Sequence, residues 1–229
     1  EEIATSTYTI EDAYTTFGSH NYQLTSVTDA NGCKSEVTGQ KHKVTVDEDA
    51  KLGNIATINP RCEGSKLILP SVPSKTEYNS TITGGVWKIG DKEVSANTLM
   101  DYDAHDGKQL YYSVQSTCGN NRAKEIHSNK VDVEVDRKPT QANAGVDIIQ
   151  CNDDSFELAA NTPDASKSET GKWTISEGNA YFSDDESPTS IASGVAMVSS
   201  TTLPTTLIWT ISSEYGVCTP TTDYVKLTN

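Results

Sequence analysis

The chain has 229 residues, 34% of them hydrophobic, and 32 acidic against 18 basic side chains for a net charge of −14. So acidic a chain has no basic stripe with which to displace counterions from nucleic acid, and no apolar run approaches the ~18 residues of a membrane-spanning helix. The hydrophobic content suffices for several small cores but not one large one.

Read from the start, residues 22–33 form a strand-like stretch ending in Asp29-Ala-Asn-Gly32 and Cys33, and Lys43-Val-Thr-Val46 answers it as a second strand. Asp47-Glu-Asp-Ala-Lys51 is a short charged join. Cys62 then precedes the strand-like Ser65-Lys-Leu-Ile-Leu69. Val86-Trp-Lys-Ile89 and Lys92-Glu-Val94 flank Gly90-Asp91, the two-residue turn of a hairpin that needs positive φ. Residues 95–106 hold at most one helical turn. Residues 110–118 repeat the strand-and-cysteine pattern, ending in Cys118, and run on to Val131, Val133 and Val135. These valines alternate with Asp132, Glu134 and Asp136, which reads as one buried and one wet face. Asp136-Arg-Lys-Pro-Thr140 is a second short join, whose proline stops the strand. Cys151 precedes Ser155-Phe-Glu-Leu-Ala159, and residues 207–218 give the pattern a third time, with Cys218 in the turn before residues 223–227.

Three copies of one strand–turn–Cys–strand unit set the architecture. Thr and Ser alternating among Val, Ile and Tyr favour half-buried strands. The fold class expected is all-β: tandem Ig-like or PKD-like sandwich domains joined end to end by short linkers. Cys62 and Cys118 lie 56 residues apart, Cys151 and Cys218 lie 67 apart, and each pair brackets a strand set of the size of one sandwich of about 100 residues. The disulfides expected are therefore Cys62–Cys118 and Cys151–Cys218, in an oxidising compartment. Cys33 matches Cys118 and Cys218, so its partner is expected upstream of residue 1. Residues 1–50 are then the C-terminal part of a first domain, 51–138 a second and 139–229 a third. The chain carries no signal-peptide pattern, in keeping with a slice of a longer protein. Trp87 and Trp173 fall 25 and 22 residues after Cys62 and Cys151, a shared third-strand core position. Cys, Trp, Cys is the order of immunoglobulin domains, though here the second Cys sits at a turn.

Few residues suggest chemistry. Asp101, Asp103 and Asp106 in Asp101-Tyr-Asp-Ala-His-Asp-Gly107 offer oxygens of the kind calcium takes, but the spacing departs from an EF-hand and a plain turn is the simpler reading. Asp153-Asp154 and Asp184-Asp-Glu186 read as solvated loops. His20, His42, His105 and His127 have no zinc spacing and no nucleophile beside them. No Gly-x-Ser-x-Gly elbow occurs, and domains of about 90 residues leave little room for the cleft that paired glycosidase carboxylates need. No enzyme is expected. Tyr102, Tyr111, Tyr112, Tyr181 and Tyr215 are candidates for stacking on sugars, with strand packing the plainer role. Asn79-Ser-Thr81 fits the N-glycosylation pattern, and Asp154-Ser-Phe156 resembles a Bacteroidetes O-glycosylation motif.

Three phrases carry a resemblance. Tyr22-Gln-Leu-Thr-Ser-Val-Thr-Asp-Ala-Asn-Gly-Cys33 resembles a repeat of very large Bacteroidetes surface proteins. Cys62-Glu-Gly-Ser-Lys-Leu-Ile-Leu-Pro70, Gly85-Val-Trp-Lys-Ile89 and Asp106-Gly-Lys-Gln-Leu-Tyr-Tyr112 resemble a second repeat type from them. Ala142-Asn-Ala-Gly-Val-Asp147, Gly171-Lys-Trp-Thr-Ile175, Phe182-Ser-Asp-Asp-Glu-Ser-Pro188 and Leu207-Ile-Trp-Thr-Ile-Ser212 resemble a PKD-like or Ig-like third. The best-known members are gliding-motility adhesins exported by the type IX secretion system. The resemblance implies an extracellular, cell-surface stalk or filament for adhesion or gliding, needing no cofactor. Its partners would be neighbouring repeats of the same chain and surface polysaccharide or other surface proteins. Rival readings are a glycan- or protein-binding recognition module, or accessory domains of a secreted enzyme.

Overall fold

The computed structural model describes residues 16–39, 41–77, 80–118, 122–151, 153, 155–201 and 203–229. They form an all-β protein. Strands β1 (Gly18–Gln23) and β4 (Lys41–Val46) pair antiparallel, and β2 (Ser26–Thr28) and β3 (Lys34–Glu36) make an inner hairpin between them in the chain. Its turn is built by Asp29, whose carboxylate accepts the N–H groups of Asn31 at 2.9 Å and Cys33 at 2.8 Å, as short acidic side chains do in turns. Cys33 sits at that turn, as its sequence pattern requires.

The next stretch supplies β5 (Lys51–Leu52), β6 (Arg61–Cys62), β7 (Lys75–Thr76), β8 (Ser80–Ile89), β9 (Lys92–Val94), the single turn α1 (Tyr102–His105), β10 (Gln109–Cys118), β11 (Arg122–His127), β12 (Val131–Asp132) and β13 (Val135–Asp136). The expected tight hairpin joins β8 to β9, with Trp87 opposite Val94 and Gly90 at φ +57°. The main sheet runs β11-β10-β8-β9, and β12 also pairs with β10. The short strands β5 and β7 pair with each other. Val131, Val133 and Val135 are buried and Asp132 and Glu134 exposed, as the alternation predicts.

Asp136 departs from that alternation: it is only 1% exposed, not on a wet face. The reason is that β13 leaves the edge of β10 and pairs in parallel with β6, setting Asp136 level with Cys62.

The last stretch forms a two-layer sandwich. One sheet is ordered β14-β20-β19-β16, from β14 (Ile148–Ile149), β16 (Thr170–Glu177), β19 (Thr205–Ser212) and β20 (Thr221–Thr228). The other is β15-β18-β17, from β15 (Phe156–Glu157), β17 (Tyr181–Phe182) and β18 (Ile191–Ser193). Alternate residues of β19, namely Leu207, Trp209 and Ile211, point inward and are fully buried against Phe156 and Ala192 of the opposite sheet. Trp173 lies opposite Trp209 on β16, their ring centroids 5.0 Å apart. Their indole N–H groups donate to the carbonyls of Ser187 and Asn161, each at 3.1 Å, so neither buried tryptophan strands a donor. As β6 does with β13, β14 pairs in parallel with β20.

The chain groups into two compact units. One takes in residues up to Asn54 with Val72–Val86 and Tyr112–Asn129; the other is Ile55–Ser71, Trp87–Tyr111 and Lys130–Asn229.

Candidate functional site: a disulfide-pinned junction

The densest polar constellation lies in the second unit, where the join after β13 meets the loop between β19 and β20. A buried carboxylate loses several kcal/mol of hydration unless donors replace the water. Asp136 has four. The Ser213 hydroxyl donates at 2.6 Å, and the backbone N–H groups of Tyr215, Val217 and Cys218 donate at 3.3, 3.0 and 3.3 Å. The loop can curl around one carboxylate because Gly216 takes φ +66°, a left-handed conformation that glycine adopts without penalty. This curl carries Cys218 to Cys62, which β6 holds beside Asp136. The two form a disulfide with Cα atoms 4.9 Å apart, 156 residues apart in sequence.

That bond corrects the pairing expected from spacing. Cys62 is bound to Cys218, not to Cys118, and Cys151 is not bound to Cys218. Cys33, Cys118 and Cys151 remain thiols. The physical cause is register: parallel pairing of β6 with β13 places Cys62 at the join, where the β19–β20 loop arrives. Cys118 ends β10 opposite Arg122, and its Sγ lies 3.9 Å from the carbonyl oxygen of Glu48, in the first charged join. Cys151 is exposed after β14.

The join beyond Asp136 is fastened on both sides. The Arg137 guanidinium stacks 3.6 Å over the Tyr102 ring and donates to the Ser166 carbonyl at 3.3 Å. The buried Glu169 carboxylate accepts the N–H of Thr140 at 2.7 Å, its hydroxyl at 3.0 Å and the N–H of Asp164 at 2.8 Å, with Lys167 at 3.5 Å. The Thr221 hydroxyl donates to the Thr140 carbonyl at 2.6 Å. Burial first, then the charges of Glu214, Glu134 and Asp106, push the Tyr215 phenol above its ordinary value.

The residues flagged for calcium serve this scaffold separately. Asp101 caps α1 by accepting the Ala104 N–H at 2.8 Å. Asp106 accepts the Val135 N–H at 2.8 Å and so fixes β13. Asp103 is exposed, 3.9 Å from Arg137. Among the described residues no three His, Cys, Asp or Glu side chains converge on a metal position.

The candidate sugar-stacking tyrosines divide. Tyr111 and Tyr112 are buried, Tyr102 lies under Arg137, and Tyr181 is 75% exposed. His105 accepts the Asp101 N–H through Nδ1 at 2.9 Å, and His20 and His127 contact backbone carbonyls. An open groove of about 720 Å³ in the first unit is lined by Cys118, Asp49 and Lys124, the last two joined in an ion pair at 2.5 Å. Asn79 and Asp154, which begin the two glycosylation patterns, lie outside the described residues.

Asp136, Ser213, Arg137 and Glu169 went unmarked by the sequence reading. The one available signal was an acidic residue ending a valine alternation immediately before a proline-bearing join.

No protein-family model matches the chain, and no curated protein matches it. Solved structures do. The extracellular cadherin domains 3–6 of protocadherin gamma B2 match at TM-score 0.43 and 9% identity, over 85% of this chain and 55% of that one. Murine CEACAM1b matches at TM-score 0.37 and 13% identity, over 78% and 98%. Human CDH23 EC21-23 matches at 0.39 and 14%, over 89% and 72%.

Proposed function

We propose that this chain is a structural repeat segment of a large secreted cell-surface adhesin of the Bacteroidetes gliding-adhesin kind, forming part of an extended stalk or filament. The observation that carries the reading is the junction: a disulfide, a four-donor buried carboxylate and a stacked arginine all fasten one short join. Such investment suits a part whose work is to keep its shape under load. The reading divides the chain into repeats at 1–50, 51–138 and 139–229, places it outside the cell and assigns it no catalytic step. The acidic exterior suits a crowded surface protein that must stay soluble. Its partners are neighbouring repeats and, at the tip of the whole protein, a surface polysaccharide or protein.

Small-angle X-ray scattering tests the stalk. One compact globule of this length has a radius of gyration of roughly 17 Å. A stalk segment gives a value well above that; a value near it would defeat the reading. The exposed Tyr181 favours a second reading, a glycan-recognition module. Binding on a glycan array that Tyr181→Ala abolishes would establish that reading instead.

A further inference from the structure

We infer that the Cys62–Cys218 bond is a load bypass: tension applied along the chain leaves the backbone at residue 62, crosses the disulfide and re-enters at residue 218. The inference rests on the load-bearing reading but reaches beyond it, because it assigns where force runs. A disulfide inside one domain would shelter that domain alone. This one spans 156 residues, so everything from 63 to 217 lies off the covalent load path. That stretch contains β7 to β19, and so all of the C-terminal sandwich except β20. A fully extended residue spans at most about 3.3–3.6 Å, so the bond withholds roughly 520–560 Å of slack.

The bond is also placed to survive. Cys218 is 2% exposed, and its loop is gathered onto the Asp136 carboxylate by three backbone donors. Reduction proceeds by a thiolate forming a new S–S bond to one cysteine sulfur while the other sulfur departs as thiolate. That attack needs access to the bond; the folded loop covers Cys218, while Cys62 is half-buried. The segment is therefore inextensible while the bond is intact, and becomes extensible where an external thiol reaches it, which opening of the junction favours.

Single-molecule pulling from the two termini of the oxidised chain tests this. Without reductant, total extension is confined to the contour of residues outside 62–218. With a small dithiol present at constant force, a further step of roughly 520–560 Å, less the folded span, follows opening of the junction. The double variant Cys62→Ser/Cys218→Ser releases that length without dithiol. Release of the full contour by the oxidised chain without dithiol, or no added step with it, overturns the inference. Either result leaves the stalk reading to be judged by scattering, which does not depend on the path of force.

Discussion

The Ser213 hydroxyl donates to the Asp136 carboxylate across 2.6 Å, with both residues buried. Seventy-seven residues of chain separate them, yet their contact fixes the β19–β20 loop onto the end of β13. Charge-assisted bonds of this kind are stronger than neutral ones, and donors left without their acceptor cost more than the bonds contribute. Asp136→Ala should therefore destabilise the second unit by about 2–4 kcal/mol in urea unfolding. Ser213→Ala, which leaves the three backbone donors in place, should cost about 1–2 kcal/mol. Equal, near-zero losses would mean that the carboxylate does not organise the loop.

Removing the disulfide should weaken the same unit. The chain-entropy model gives about 5 kcal/mol for a loop of 156 residues, and measured values commonly fall nearer 2–4. Cys62→Ser/Cys218→Ser should lower the urea midpoint accordingly. Cys151→Ser, at an exposed thiol, should stay within about 0.5 kcal/mol of the parent. The comparison separates the observed bond from the spacing-based ones, under which Cys151→Ser would be damaging as well.

Gly171 marks where the sandwich core has no room. A Cβ there would stand 2.3 Å from Cζ2 of Trp209 and 2.8 Å from Cγ of Pro163. The Trp209 ring cannot yield without disturbing its tilted packing on Trp173, and overpacking typically costs about 1–3 kcal/mol. Gly171→Ala should unfold at lower denaturant by that margin and shift the near-ultraviolet tryptophan circular dichroism. An unchanged spectrum and stability would show that the tryptophan pair is loosely packed.

Asp164 carries a pH dependence. Its carboxylate accepts the Ser166 hydroxyl at 2.7 Å and the Ser166 N–H at 2.9 Å. These bonds, the hydroxyl first, hold its pKa below the ordinary 3.8 against a small opposing effect of burial, with Lys167 and Arg137 helping. A depressed carboxyl stabilises the folded state fully above its unfolded pKa, and that contribution is lost as pH falls through the folded value. A carbon-13 titration should place the Asp164 midpoint below 3.8, with the Ser166 amide shift following it. Ser166→Ala should raise that midpoint; an unmoved midpoint would remove the hydroxyl as the main cause.

Much of the fold was legible in the residues. The third cysteine-bearing hairpin, the Gly90-Asp91 turn and the single helical turn follow from local chemistry, and the structure forms each. At the first two cysteines the hairpin closes on β3 and β11, strands unmarked in the sequence reading. Trp87 and Trp173 are both buried, as their matched offsets imply. The junction was not legible, because it depends on a strand changing partners. Alternation places Asp136 on the wet face only while β13 continues along the edge of β10. Nothing local records that it turns to β6 instead, and Cys62 is carried to the join by that same parallel pairing. Cysteine spacing could not supply the connectivity either, since four cysteines admit three pairings and distance in sequence does not choose among them. The role of Asp106 was hidden in a related way: its carboxylate serves the N–H of Val135, a partner 29 residues away.

Non-reducing peptide mapping of the oxidised chain tests the central claim most directly. The account predicts one linked pair of peptides, containing Cys62 and Cys218, with Cys33, Cys118 and Cys151 recovered as alkylatable thiols. Linked peptides joining Cys62 to Cys118 or Cys151 to Cys218 would contradict it, and with it the pinned junction and the load path drawn through it.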